Sequence, residues 1–125
     1  MTKMKDFSVD RTKWVRGRRR EFGATGLLNR QGNLCCLGHY CQQLGVPDVY
    51  LYGRGNPAPA AEDAAEDGDY EIPGLVQWHG GRAHATLLTR CAVRVNDDPS
   101  ISDAEREREL SALFASHGIK VEFYG

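Results

Sequence analysis

Apolar residues recur at i, i+3, i+4 and i+7 in two places along the chain, and both stripes are punctuated as helices. Leu37, Tyr40, Cys41 and Leu44 make the first, with Gly45 at the C′ position and Pro47 just beyond. Leu110, Leu113, Phe114 and His117 make the second, preceded by the capping box Ser102-Asp103-Ala104-Glu105 and followed by Gly118. After Gly118 the period changes to two: Ile119, Val121 and Phe123 alternate with Lys120, Glu122 and Tyr124, the signature of a half-buried strand. Nearer the amino terminus, Asp10 as N-cap with Val9, Trp14 and Val15 predicts a short helix to about Arg20, weakened by Gly17. Leu27-Leu28-Asn29 and Asn33-Leu34-Cys35 around Arg30-Gln31-Gly32 predict a β-hairpin. Arg82 to about Ala92 carries Leu87, Leu88 and Cys91 on one helical face, and the alternation of Val93 and Val95 about Arg94 fits either a continuation or a strand. The pattern as a whole predicts a single α+β domain over 1–125, a small antiparallel sheet packed against about three helices.

Composition sharpens this in one region. From Gly53 to Asp69 the chain is rich in Gly, Pro, Ala, Asp and Glu, and residues 57–71 hold Glu62, Asp63, Glu66, Asp67, Asp69 and Glu71 with no basic residue among them. It reads as a flexible acidic loop at about 53–69. Over the whole chain 41% hydrophobic and 26% charged residues are those of an ordinary globular domain, and a length of 125 residues suffices to bury a real core. The longest stretch free of formal charge, Gln31 to Pro47, is broken by polar side chains and excludes a membrane span there. The amino-terminal MTKMKDFSVDRTKW lacks the apolar core of a secretory signal, so a cytoplasmic location, free thiols and no membrane partner are expected.

The net charge of −1 conceals an asymmetry. Residues 1–30 hold nine Lys and Arg against three acids, a formal +6, and the remainder holds seven against fourteen, a formal −7. Trp14 with Arg16, Arg18, Arg19 and Arg20 has the aromatic and basic content of a phosphate-binding patch, so nucleic-acid binding is one candidate use. Glu62, Asp63, Glu66 and Asp67 form the opposite candidate surface, suited to a basic partner.

Reactive side chains concentrate in Cys35-Cys36-Leu37-Gly38-His39-Tyr40-Cys41. Cys36 falls at or just before a helix N-terminus, where unpaired amides stabilise a thiolate, and His79 or His84 with Asn96 or Asp97 would complete a Cys-His-Asn/Asp order. If the chain is an enzyme, Cys36, His84 and Asn96 are the catalytic set, in a cysteine-dependent hydrolase or transferase. The competing reading makes the cysteines plain core residues. Cys36-x-x-His39 and Cys36-x4-Cys41 fall within zinc spacings and His79, His84 or Cys91 could complete a site, but this is not the strong signature of two separated ligand pairs and Cys41 lies on the apolar stripe, so neither a metal nor a cofactor is expected. No Walker loop, dinucleotide fingerprint, His-Glu-x-x-His or Gly-x-Ser-x-Gly motif occurs. Asn96 and Asp97, which precede Pro99 and the capping box, are expected to be turn formers.

Several of these pieces stand together in a recognisable order: Trp14 with Arg16-Gly17, Leu27-Leu28, Gly32-Asn33-Leu34-Cys35-Cys36-Leu37-Gly38, and Asn96-Asp97-Asp98 before a terminal helix. In this the chain resembles a family of small accessory proteins of tailed bacteriophages and prophages, over about residues 14–45 and 87–123. The resemblance implies a phage accessory protein; taken with the small single domain, the lack of a strong catalytic motif and the two oppositely charged surfaces, it leads us to expect a non-enzymatic protein acting in the host cytoplasm. Its expected role is to bind and antagonise a host protein or ribonucleoprotein complex, a CRISPR-Cas defence complex for example. It implies no reaction, cofactor or catalytic residue.

Overall fold

The computed structural model describes residues 4–17, 25–67 and 71–125. In chain order its elements are β1 (Phe7–Asp10), α1 (Cys36–Gln43), a 3-10 turn at Asp48–Tyr50, α2 (Pro57–Asp67), β2 (Val76–His79), β3 (Arg82–Ala85), α3 (Leu87–Asp97), α4 (Asp103–Ala115) and β4 (Val121–Tyr124). The class is α+β, with four α-helices among the described residues.

The sheet differs from the expected single antiparallel one. β1 and β4 form a parallel pair, Phe7 opposite Val121 and Val9 opposite Phe123, while β2 and β3 form a separate antiparallel hairpin. Parallel pairing of two short strands needs cover on its faces, and helices supply it. Phe7 sits edge-on between Tyr40 of α1 and Phe114 of α4, with ring centroids 5.1 Å apart in both cases. Asp10, expected to begin a helix, instead ends β1, and its carboxylate accepts from the Thr12 amide and hydroxyl to turn the chain. Burying Phe7 and Val9 against partners distant in sequence outweighs a weak local helix propensity. The end of that expected helix, Arg18 to Arg20, lies outside the described residues.

The expected hairpin over 27–35 is replaced by two isolated bridges, Trp14 to Leu34 and Leu28 to Tyr52. Its turn does form, closed by Asn29, whose side chain accepts from the Gln31 and Asn33 amides. The segment expected as an acidic loop contains helix α2. Ala60, Ala61 and Ala64 bury one face of it, and alanine combines the best helix propensity with a side chain small enough for close packing. Arg82–Ala85 is a strand rather than helix, and Val93 and Val95 belong to α3, capped at its start by the Thr86 hydroxyl. The two stripes behave as expected: α1 ends at Gln43 before Gly45 in the left-handed region (φ 92°), and the Ser102 hydroxyl accepts from the Glu105 amide at the start of α4. His117 lies beyond the end of α4 and is exposed.

Candidate functional site

The residues singled out by the motifs converge, but in the core. Asn96 is 1% exposed, within the last turn of α3 rather than in a turn between elements. Its Oδ1 accepts from the Trp14 indole N–H (2.7 Å) and the Cys36 amide (3.0 Å). Its Nδ2 donates to the Val15 carbonyl (3.0 Å) and to Asp97 Oδ1 (2.9 Å). One carboxamide thus ties the amino-terminal segment, the start of α1 and the end of α3 together, with its hydrogen-bonding capacity filled. Gly38 lies close by: a Cβ there would overlap the Leu27 carbonyl oxygen, so only glycine lets α1 approach the Leu27 backbone.

Cys36 is the first residue of α1, at the helix N-terminus as expected, but its side chain is fully buried. Burial pushes its thiol well above the ordinary value, and the neighbouring Cys35 thiol adds to the shift. Burial pushes Cys35 up to about 12 against the opposing pull of the Gly38 and Leu37 amides, and raises Cys41 as well. Desolvation of the thiolate therefore outweighs the helix N-terminus, and these are protonated core thiols. A narrow pocket of about 90 Å³ reaches Cys35, Asn96 and Asp97, and burial raises the pKa of the thiol it meets rather than lowering it as an activated nucleophile requires. Cys36 meets Asn96 through its backbone amide and not through sulfur. His84 lies on the exposed β2–β3 hairpin beside His79, ring centroids 6.5 Å apart, and no described hydrogen bond joins it to Cys36 or Asn96. The set Cys36, His84, Asn96 is not assembled. Among the described residues no group of three or more His, Cys, Asp or Glu is placed to hold a metal ion.

The amino-terminal basic patch is likewise turned inward where it is described. Trp14 is fully buried and Arg16 is 8% exposed. The Arg16 guanidinium lies 4.7 Å from the Trp14 ring centroid, donates to the Trp14 and Arg11 carbonyls, and places Nε 3.2 Å from Asp103 Oδ2. A buried indole, and a guanidinium already held by that indole, two carbonyls and a carboxylate, are not a surface for stacking bases. Arg106, which the sequence reading missed, is a second buried arginine. It donates to the carbonyls of Val95, Asn96, Asp98 and Ile101 and so caps the C-terminus of α3 from α4. Its place at i−4 from Leu110 and i−8 from Phe114, on the buried stripe, is the signal that would have found it.

The acidic candidates are on the surface. Glu62 accepts from Arg82 Nε (2.6 Å) and the Ala83 amide (3.1 Å), and these two donors, Arg82 foremost, hold its carboxyl below the usual range. Asp63 pairs with Arg54. Glu66, one turn after Glu62, is exposed; the Asp67 side chain is outside the described set. Glu62, Asp63 and Glu66 line a groove of about 450 Å³ between α2 and the hairpin, and its opposite wall includes Trp78, 49% exposed. Trp78 was not singled out by the motifs; its alternation with Val76 next to the turn Gly80-Gly81 is the feature that places it on the α2 side of the hairpin. A second cleft, of about 480 Å³, opens between Leu28, Arg30 and Tyr52. Among the described residues no helix is long and apolar enough to cross a membrane. Comparison of the chain with protein-family models, with curated proteins and with solved structures gives no match.

Proposed function

We propose that this chain is a non-catalytic docking protein of a phage or prophage that binds and antagonises a host macromolecule, a defence complex such as CRISPR-Cas being one example. The observation that carries the reading is the use made of the motif residues. Cys35, Cys36, Gly38 and Asn96 are all consumed in core packing and buried hydrogen bonds, while the larger openings lie elsewhere on the surface. A chemistry that needed the Cys-Cys-Leu-Gly thiols would need at least one of them reachable and ionisable. A rigid core that presents preformed grooves instead suits binding, because little ordering is left to be done on association.

The test is capture from a bacterial host lysate by the tagged full chain, paired with phage growth in defence-bearing cells after deletion of the gene. A stoichiometric partner together with impaired growth on deletion is the expected result. Recovery of no partner and unaffected growth overturns the reading.

A further inference from the structure

We infer that the groove between α2 and the β2–β3 hairpin takes a lysine- or arginine-bearing segment of a partner protein, its cationic side chain lying over the Trp78 indole and against the Glu66 carboxylate. The inference rests on the reading of the chain as a docking protein and names the chemistry of what it docks.

The groove presents Glu62, Asp63 and Glu66; Arg82 pairs with Glu62 and Arg54 with Asp63, so Glu66 is the carboxylate left over and the site carries a formal excess of one negative charge. The C-terminal end of α2 adds its partial negative charge on the same side, with no basic residue in the last turn to offset it. Trp78 is the best of the aromatic platforms for a cation. It pairs across the hairpin with Ala83, and the turn beyond it is Gly80-Gly81, both at positive φ, so these neighbours bring no large side chain over the ring. Glu62 acts as the strut: by holding both Arg82 Nε and the Ala83 amide it fastens the hairpin to α2 and keeps the groove open before anything binds. Glu66, one helical turn on, lines the same groove as the indole and has no described hydrogen-bond or ion-pair partner of its own. Within the same chain Trp14, Arg16 and Asp103 realise this arrangement of indole, guanidinium and carboxylate in the core, at 4.7 Å and 3.2 Å. A polyanion such as nucleic acid is repelled by the same charges.

Calorimetric titration of the full chain with a short acetylated peptide of alternating arginine and alanine tests the assignment. Saturable binding that weakens with added salt is expected, with a shift in tryptophan emission, because Trp14 is buried and Trp78 is the exposed reporter. Trp78→Ala and Glu66→Lys should each lower the affinity at least about tenfold, the scale of one partly desolvated cation–π or charge contact. Glu66→Gln, which adds no charge, should give a smaller loss in the same direction, and all three should melt close to the parent since both side chains are exposed. Equal affinity in the variants, or equally tight binding of a glutamate–alanine peptide or of duplex DNA, overturns the inference. Capture of a stoichiometric host partner that survives Trp78→Ala and Glu66→Lys also overturns it, while leaving the docking reading in place. Groove-dependent peptide binding with no host partner and no growth effect does the reverse.

Discussion

Replacing Asn96 by alanine removes one carboxamide and strands three groups that water does not reach. Trp14 Nε1–H, the Cys36 amide and the Val15 carbonyl each lose the partner described above, and Trp14, Cys36 and Val15 are all 0% exposed. A buried polar group left without a partner costs about 1–3 kcal/mol. Partial relaxation of the small cavity left behind offsets some of this, so the expected loss is about 3–5 kcal/mol, a large part of a typical domain's 5–15 kcal/mol. That corresponds to a fall in Tm of roughly 4 °C per kcal/mol for a chain of this size. An asparagine that only closed an exposed turn would be worth about 1 kcal/mol. Urea denaturation followed by far-UV circular dichroism and tryptophan emission separates the two, provided the slope m is unchanged. Asn96→Asp refines the test. It keeps the acceptor for Trp14 and Cys36 but sets an anion against the Val15 carbonyl and Asp97, so its folded pKa must lie above the unfolded value of about 3.9. The folded state then holds the proton to higher pH than the unfolded one, and the deficit against the parent should shrink as pH falls toward 4. A loss below about 1 kcal/mol in Asn96→Ala, with m unchanged, refutes the hub.

Arg106→Lys should lose about 2–4 kcal/mol in the same assay, because an ammonium cannot reach four carbonyls at once, whereas the exposed Arg108→Lys should stay within about 0.5 kcal/mol; equal effects refute the capping role. Gly38→Ala should fail to accumulate as folded protein or lose more than about 4 kcal/mol, read from soluble yield and melting, since backbone and not a flexible side chain opposes the new Cβ. Thiol labelling of the native chain at mild pH should reach Cys91 first and leave Cys35, Cys36 and Cys41 unmodified until denaturant is added; native labelling of Cys36 at the rate of a free thiol contradicts its burial. Burial holds the His39 imidazole below its ordinary value, with the Cys35 carbonyl pulling the other way. The unfolded chain therefore takes up that proton at higher pH, and stability is present above about pH 6.5 and lost as pH falls through the folded value. His39→Gln should flatten the slope of stability against pH in that window, which lies above the range of ordinary carboxylates, and an unchanged slope assigns the dependence elsewhere.

What the sequence determined by itself is local. The stripe Leu37, Tyr40, Cys41, Leu44 and the sequence Ser102 to Glu105 specify α1 and α4 because a helix period and a cap involve residues within one or two turns of each other. The terminal strand was legible for the same reason, and so was the turn at Asn29–Asn33. Helix α2 was present in the run of alanines but was outweighed in the reading by Pro, Asp and Glu. Only its packing against the hairpin, the 3-10 turn and α1 turns Ala60, Ala61 and Ala64 into a core face. The tertiary structure alone decided the rest. Which strand β1 pairs with, and in which direction, depends on Phe7 finding Tyr40 and Phe114 from distant parts of the chain. The fate of Cys36 turned on burial: a helix N-terminus lowers a thiol pKa and desolvation raises it, and no pattern of neighbours in sequence states how much water remains at the sulfur. Asn96 likewise had the residue type of a turn former, and became the hub because Trp14 and Cys36 arrive at it from other elements with one N–H each to satisfy. The groove beside Trp78 belongs to the same class, since it exists only where α2 and the hairpin meet and Glu62 holds them in place.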